Sequence, residues 1–338
     1  MSDVLHLPST YFRFEKETAL LAGEIYEPKR IRLIDVEEPD LNDGEGDIIF
    51  QPELGCLCGS DMLFFEADYP EFPVKVGHTL HELIGTVTAT SGTRFKAGDK
   101  VLCVPENQEG LFERFRVSET RAIPLDPRPK REDALMAQPL GTVLHALRKL
   151  PNLLGQRVVV VGQGPIGQLF VGSLRNLGAR QIIAIDKLPE RLEVSSRMGA
   201  TSMVDASSED PVEAVRRITD GNMADVVVEA VGHREQALNL CIDLCRRSGT
   251  ILFFGVPTKV FDGIRFYDLM VKSINIQTTV NPDFDLDFPL AMQWIAERRI
   301  DVSPIITHRF PLEQLQDAFD LFLARGDGVL KPLICFPS

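Results

Sequence analysis

Cysteine, histidine and acidic residues fall in two short stretches that together could hold a metal ion. The first stretch contains Cys56 and Cys58, and the second contains His78, His81 and Glu82. Two cysteines separated by one residue make a poor chelate by themselves, because metal-binding pairs more often leave roughly two to four residues between them. One cysteine could still be a ligand if a distant histidine completes the site. The spacing alone leaves open which cysteine and which histidine take part.

A glycine-rich turn at 162–167 could bind the phosphates of a dinucleotide. Arg157 and the apolar run that follows it lead into the turn, and apolar residues at the spacing of one helical face come after the turn. Gly162 permits the tight turn, Gly164 lets the backbone approach a pyrophosphate, and Gly167 lets the helix pack against the strand. The amino end of this helix then faces the phosphates with unpaired N–H groups and a partial positive charge.

A second strand ends at Asp186, where a carboxylate accepts hydrogen bonds from the adenine ribose hydroxyls. A glycine-rich turn alone also occurs in merely structural βαβ units, but strand, turn, helix, strand and acidic residue in register favour NAD. The nearby cations Lys187 and Arg191 soften the discrimination against NADP. The predicted cofactor-binding residues are Gly162, Gly164, Pro165, Ile166, Gly167, Asp186, Lys187, Arg191, Val231 and Thr142.

Composition limits the class of protein. A chain of 338 residues is too long for one small core, so two domains are expected. Its 36 basic and 49 acidic residues give a formal charge of −13, which repels nucleic acid and anionic membranes. No apolar run is long enough to span a bilayer, and the amino end lacks the features of a signal peptide. We therefore expect a cytoplasmic protein with no nucleic-acid or membrane partner.

The order of predicted elements indicates an α/β fold with a second, β-rich domain. Residues 18–55 alternate short apolar runs with turn residues, which is typical of strands. Residues 151–280 alternate strands with helices, and 225–231 is an almost continuous apolar run, as in a strand buried on both faces of a parallel sheet. Six such strands would make a doubly wound parallel sheet.

Several motifs occur in an order that resembles a known family. Cys58-Gly-Ser-Asp61, then His81-Glu82-x-x-Gly85-x-Val87, then residues 97–101 precede the nucleotide turn. This arrangement is similar to the zinc-dependent medium-chain dehydrogenases, above all their polyol and sugar dehydrogenase branch, and extends from about residue 19 to the carboxyl end, including 303–312. The resemblance implies a Rossmann domain at 148–282 and a GroES-like catalytic domain made of 1–147 and 283–338.

The resemblance also implies roles for individual residues. Cys58 and His81 match zinc ligands of the family, Glu82 is a ligand in many polyol-type members, and Gln138 occupies a further ligand position. Ser60 matches the residue that hydrogen-bonds the substrate hydroxyl, so the implied catalytic residues are Cys58, Ser60, His81 and Glu82. One thiolate, one imidazole and oxygen donors leave an open position on zinc, as catalysis requires. Bound zinc would lower the pKa of an alcohol, from which hydride passes to the nicotinamide.

Three positions depart from the family pattern. Leu80 replaces the glycine before the ligand histidine, and a second histidine, His78, is an alternative ligand, although His81 fits the register better. Gln138 stands where Glu or Cys is usual, so the site has one negative charge fewer. Leu63 stands where many relatives have a histidine that passes the proton outward, which leaves water or another residue to end the relay and could make the substrate pocket less polar.

The remaining cysteines are predicted to be reduced and to pack in the core. The chain has six cysteines, and after Cys103 the next is Cys241, so the four-cysteine lobe that binds a structural zinc in many relatives is missing. We therefore expect one catalytic zinc and no structural zinc. Cys241 and Cys245 are predicted to share one helix face.

The leading hypothesis is a zinc- and NAD-dependent dehydrogenase of a secondary alcohol, such as a sugar or polyol. One alternative is a zinc-free reductase of the quinone oxidoreductase kind, and another is a nucleotide-binding protein without catalysis. The resemblance also implies a homodimer or homotetramer, because members of the family commonly pair through the edge strand of the Rossmann domain, predicted here at 274–280. An unpaired apolar edge would otherwise be exposed.

Overall fold

The computed structural model describes residues 20–41, 45–66, 72–232, 237–257, 260 and 262–337. Within these ranges the strands form sheets of two, six and seven strands. None of the helices in the described part of the chain combines the length and the apolar character that crossing a bilayer requires.

The described part of 20–147 supplies most of the seven-stranded sheet. The strands of this segment are β1 (Leu20–Glu27), β2 (Arg30–Val36), β3 (Asp47–Cys56), β4 (Glu82–Thr90), β5 (Lys100–Cys103), β6 (Phe115–Ser118) and β7 (Ala122–Pro124). Of these, β3 to β7 belong to the seven-stranded sheet. Its α-helices are α1 (Asp61–Phe65), α2 (Arg131–Leu135) and α3 (Ala137–Leu147). β1 and β2 form an antiparallel hairpin, and β3 pairs antiparallel with both β4 and β6. The ladder between β3 and β4 shifts register after Pro52, because proline has no N–H to donate.

The six-stranded sheet is parallel and has the predicted number of strands. Its strands are β8 (Arg157–Val161), β9 (Gln181–Asp186), β10 (Ser202–Asp205), β11 (Ala224–Glu229), β12 (Cys245–Phe253) and β13 (Asn275–Thr278). The helices between them are α4 (Pro165–Asn176), α5 (Pro189–Met198), α6 (Pro211–Ile218), α7 (Leu238–Leu244) and α8 (Phe266–Lys272). The spatial order is β10-β9-β8-β11-β12-β13, so the direction of chain progression reverses between β8 and β11. Ligands of doubly wound sheets bind at this switch point, beyond the carboxyl ends of the strands.

The carboxyl-terminal segment returns to the first sheet. It contains α9 (Phe284–Ala296), β14 (Ile306–Pro311), α10 (Leu315–Ala324) and β15 (Lys331–Cys335). β15 pairs parallel with β14 and antiparallel with β3, where Leu333 lies opposite Cys56. The buried Asp287 of α9 binds His145 and Arg148 at the end of α3, at 2.7 Å each, and so joins the two helices that flank the six-stranded sheet in sequence.

Several element boundaries differ from the sequence expectations. β3 continues to Cys56, within a stretch predicted to be a loop from residue 54. β11 ends at Glu229, before the end of the apolar run. Cys245 begins β12 rather than ending a helix, so Cys241 and Cys245 do not share a helix face, although both are buried. The helix predicted from Arg234 begins outside the described residues, and its described part is α7.

Candidate metal and dinucleotide sites

Cys58, His81 and Glu82 come together where β3 ends and β4 begins. One ligand atom from each lies within 4.8 Å of the other two, and this is the one such group of three among the described residues. The antiparallel pairing of β3 with β4 explains the meeting, because it sets Cys56 directly opposite Glu82. The geometry thus groups His81, and not His78, with Cys58. The His78 ring packs instead against Phe64, with 4.0 Å between the ring centroids.

A buried aspartate, Asp61, organises the loops around this cluster. Its carboxylate accepts the Cys58 backbone N–H at 2.6 Å, the Thr79 hydroxyl at 2.5 Å and the Leu80 backbone N–H at 3.0 Å. The His81 Nδ1 atom lies 3.7 Å from the same carboxylate. Burial alone raises the pKa of Asp61, but these donors and His81 lower it overall. Burial alone lowers the pKa of His81, yet Asp61 and Cys58 raise it well above its usual value.

The turn before His81 has an unusual backbone. Gly77, Thr79 and Leu80 have φ angles of 75°, 89° and 65°. A left-handed conformation costs roughly 1–2 kcal/mol for a residue with a side chain. The Leu80 side chain is fully buried, and a Cβ added to Gly55 would lie 2.8 Å from its Cδ2 atom. Core packing of Leu80, together with its hydrogen bond to Asp61, therefore offsets the strain at a position where the family has glycine.

Glu82 has a strong partner that the sequence analysis missed. The Lys331 ammonium donates to both Glu82 carboxylate oxygens at 2.6 Å, and to the Leu57 carbonyl at 3.1 Å. The Cys56 thiol donates to Glu82 Oε2 at 2.7 Å. Burial and the charge of Glu82 raise the pKa of this thiol well above its usual value. Burial alone lowers the pKa of Lys331, but the neighbouring negative charges raise it above its usual value.

The donor set at this cluster suits zinc. Cys58 offers a soft thiolate, His81 an imidazole and Glu82 a carboxylate, and zinc binds all three types. The His81 Nδ1 atom is buried without a hydrogen bond and faces Asp61, which leaves its Nε2 atom available to bind a metal. Because Lys331 neutralises Glu82, the cluster carries less negative charge than its residue types suggest.

Two other residues predicted around the metal lie at the starts of helices. Gln138 is buried in the first turn of α3, and Ser60 is the residue that precedes α1. Thr142, predicted to contact the cofactor, donates its hydroxyl to the Pro139 carbonyl at 2.7 Å within α3. Leu63 lies in the middle of α1 and is half-buried.

The glycine turn after β8 has the shape of a phosphate cradle. Gly162 has a φ of 90°, and a Cβ there would lie 2.9 Å from the Val231 side chain. A Cβ on Gly167 would lie 1.9 Å from the Gly162 carbonyl oxygen, so only glycine permits this close packing. A Cβ on Gly164 would have a single neighbour within 4 Å, Arg191 Nη1 at 3.8 Å, so open space lies above the turn. The residues present therefore fit a dinucleotide.

The amino end of α4 adds donors to this cradle. Gly164 is the residue before the helix, Pro165 is its first residue, and no side chain caps its N–H groups. Asp186 accepts the Gln163 backbone N–H at 2.6 Å and the Lys187 backbone N–H at 2.7 Å, which fixes the carboxylate beside the turn. Burial lowers the pKa of the Arg191 guanidinium, while the charge of Asp186 opposes this shift.

Known proteins resemble the chain over most of its length. Residues 165–297 match the family model of the zinc-binding dehydrogenases. Human sorbitol dehydrogenase is 26% identical over 347 residues, which cover 93% of this chain and 95% of the human protein. An L-threonine 3-dehydrogenase from Bacillus velezensis is 26% identical over 321 residues, which cover 86% of this chain and 91% of that protein. The structure of an alcohol dehydrogenase from Thermus sp. ATN1 is 26% identical, has a TM-score of 0.84 and covers 94% of this chain and 100% of its own.

The chain belongs to the zinc-dependent medium-chain dehydrogenase/reductase superfamily. Within that superfamily it lies in the polyol dehydrogenase branch. The superfamily's combination of a Rossmann fold and a GroES-like fold matches the parallel six-stranded sheet and the separate seven-stranded sheet described above.

Sequence reasoning missed several residues at the site of this medium-chain dehydrogenase. Lys331 gave no signal, because its partner lies 249 positions earlier in the chain. Cys56 was assigned to core packing alone, although its thiol binds Glu82. Thr79 lies between the two histidines, and its link to Asp61 follows only from the turn that carries it.

Proposed function

We propose that the protein is a zinc-dependent dehydrogenase that transfers hydride from a secondary alcohol, such as a sugar, a polyol or a similar small molecule, to NAD. The observation that carries this proposal is the grouping of Cys58, His81 and Glu82 within 4.8 Å in a member of this superfamily. The glycine cradle after β8 supports the cofactor half of the proposal. The sorbitol and threonine dehydrogenase relatives support the choice of a hydroxyl-bearing substrate.

The proposed mechanism divides the work between the two sites. Cys58, His81 and Glu82 would hold zinc, with Gln138 at or just outside this set of ligands, and Asp61 would orient His81 through the loop that it organises. When bound, zinc lowers the pKa of the substrate hydroxyl. Ser60 would bind that hydroxyl and begin the outward path of its proton. Asp186 would bind the adenine ribose and fix the cofactor along the switch point between β8 and β11.

We further propose one zinc per subunit and no structural zinc. Cys103 is buried in β5, and burial raises the pKa of its thiol, which disfavours the thiolate that binds metal. No cluster of four thiols accompanies Cys103 among the described residues. A closed structural site needs four such ligands.

NAD is proposed as the preferred cofactor over NADP. The Asp186 carboxylate lies beside the phosphate turn, where it would accept a hydrogen bond from the ribose 2′-hydroxyl and repel a 2′-phosphate. Arg191 lies near Gly164 and would weaken that repulsion. The proposal therefore is a preference rather than complete exclusion.

The proposal extends to domains and assembly. The catalytic domain would comprise 1–147 and 283–338, and the Rossmann domain 148–282, in keeping with the return of β15 to β3. A homodimer or homotetramer would form through β13, the last strand in the order of the six-stranded sheet. Apolar side chains are exposed on or beside that edge: Phe266, Tyr267, Met270, Ile276 and Val280.

Metal content and turnover of a Cys58→Ser variant test the proposed function. The variant should lose most of its zinc and nearly all alcohol oxidation, yet bind NAD, because the nucleotide site belongs to the other sheet. Cys335→Ser is the matched control, because Cys335 is a free thiol of β15 that is not part of the metal cluster. Elemental analysis and NAD reduction on a panel of alcohols give the two readouts. Turnover by metal-free protein would favour the zinc-free reductase, and NAD binding without any turnover would favour the non-catalytic alternative.

A further inference from the structure

Glu229, the last residue of β11, is a fully buried acidic residue that the proposed mechanism does not use. β11 is the strand next to β8 on the far side of the switch point, so Glu229 lies at the carboxyl edge where a dinucleotide binds. Unlike Glu82, it forms no ion pair with the lysines and arginines that the structure describes. Burial raises the pKa of Glu229, and its N–H donors oppose this shift.

Its carboxylate joins the two loops that follow β11 and β12. Oε1 accepts the backbone N–H groups of Val231 at 3.0 Å and Gly232 at 2.9 Å, and Oε2 accepts that of Gly255 at 3.0 Å. Hydrogen bonds from several backbone N–H groups favour the ionised form of a carboxylate. The three donors thus hold a negative charge in place and are themselves fixed by it.

The two loops form a continuous backbone surface with the phosphate turn. A Cβ added to Gly255 would lie 2.3 Å from the Gly232 nitrogen, so the loops touch backbone to backbone. On the other side, Val231 contacts Gly162, where an added Cβ would lie 2.9 Å from the Val231 side chain. A displacement of Glu229 would therefore move both loops relative to the phosphate turn.

The position of Asp186 decides which half of the cofactor meets this surface. Asp186 ends β9, so a bound dinucleotide would place its adenine ribose on the β9 side of the switch point and its nicotinamide half on the side of β11 and β12. The nicotinamide ring is cationic in the oxidised cofactor and neutral in the reduced one. A buried negative charge on that side therefore stabilises the two redox states unequally.

We propose that Glu229 is a positioning residue for the nicotinamide half of the cofactor and that its charge makes the protein bind the oxidised form more tightly relative to the reduced form. The inference rests on the proposed use of NAD. Glu229 then has a positioning role, which acts through the backbone of Val231, Gly232 and Gly255. It also has a charge role, which acts on the nicotinamide ring.

Dissociation constants for NAD+ and NADH, measured by calorimetry on the full-length protein, test both roles. Glu229→Gln removes the charge and should raise the dissociation constant of NAD+ about tenfold more than that of NADH. Two opposite unit charges about 10 Å apart, at an effective dielectric constant of about 20, attract each other strongly enough to change an affinity by roughly tenfold. Glu229→Asp keeps the charge on a shorter side chain and should weaken both forms by a similar factor of at least threefold. Hydride-transfer activity need not be measured.

Asp225→Asn is the matched control, because Asp225 is also a buried carboxylate of β11 but lies at the amino end, bound to Arg157 and Arg246. This variant should lower stability and leave the ratio of the two constants unchanged. An equal change for NAD+ and NADH in Glu229→Gln would overturn the charge role, and unchanged constants in Glu229→Asp would overturn the positioning role. Failure of the unaltered protein to bind either form would overturn the proposed use of NAD, and the inference with it.

Discussion

Replacing Lys331 by methionine should destabilise the metal-free protein by about 3–5 kcal/mol, the usual cost of removing one partner from a buried ion pair. Lys331 and Glu82 each have only 1% of their side-chain surface exposed. The change removes three contacts of the ammonium, two to Glu82 at 2.6 Å and one to the Leu57 carbonyl at 3.1 Å. Methionine has a similar length, so the loss arises from the unpaired charge of Glu82 rather than from a cavity.

A second substitution shows whether the loss of stability in Lys331→Met arises from the unpaired charge of Glu82 or from a general packing defect. Lys331→Met combined with Glu82→Gln leaves no buried charge and should regain at least about 2 kcal/mol relative to the single variant, because neutral replacement of a buried pair is often tolerated. Excess zinc should also recover part of the loss in the single variant, since a bound cation compensates Glu82. The Lys100→Met control breaks an ion pair with Glu53 that is partly exposed, and it should cost less than about 1 kcal/mol.

Urea denaturation followed by circular dichroism and by the fluorescence of Trp294, the only tryptophan of the chain, provides the assay. Each variant is measured with and without zinc, and its metal content is determined. A loss below about 1 kcal/mol for Lys331→Met, or a double variant no more stable than the single one, would refute the view that Lys331 acts by neutralising Glu82.

Three further changes test other parts of the structure. Leu80→Gly should lower the free energy of unfolding by about 2 kcal/mol in urea denaturation, because the lost burial exceeds the strain that is relieved; a gain in stability would show that strain dominates. Ile276→Lys, at a 43% exposed position of β13, should shift an oligomer toward monomer in light scattering; an unchanged mass would exclude this edge. Catalytic efficiency should be higher with NAD than with NADP, and Asp186→Ala should narrow the difference; equal efficiencies in the unaltered protein would show that Lys187 and Arg191 dominate.

The Rossmann half of the molecule was predictable because its signals are local. Glycine, helix and acidic residue follow each other within one βαβ unit, so the sequence distance between them is short. The starts of α5 and α6 are local signals of the same kind, since Pro189 and Pro211 occupy the first turn of these helices. The predicted sheet of six strands is confirmed.

The surroundings of the metal cluster were less predictable because they depend on strand pairing. Lys331 reaches Glu82 only because β15 lies beside β3, which in turn lies beside β4. Nothing in the local sequence of Lys331 specifies that order. The same reason explains Cys56, which has the composition of a core residue and becomes a hydrogen-bond donor through its cross-strand neighbour. The boundary of β12 also depends on pairing, since Cys245 joins the strand opposite Ala224.

The two buried glutamates, Glu82 and Glu229, show how one residue type serves two electrostatic purposes. Lys331 neutralises Glu82, so a zinc ion held by Cys58, His81 and Glu82 would retain net positive charge and lower the pKa of a substrate hydroxyl. Among the residues that the structure describes, the Glu229 carboxylate is bound by backbone N–H groups, so its negative charge would be available to the cationic ring of the oxidised cofactor. The positive charge retained by zinc would favour loss of a proton from the substrate. The negative charge of Glu229 would stabilise the oxidised cofactor before it accepts hydride. The ion pair at Glu82 thus acts on the substrate side of the hydride transfer, and the backbone-bound charge of Glu229 acts on the cofactor side.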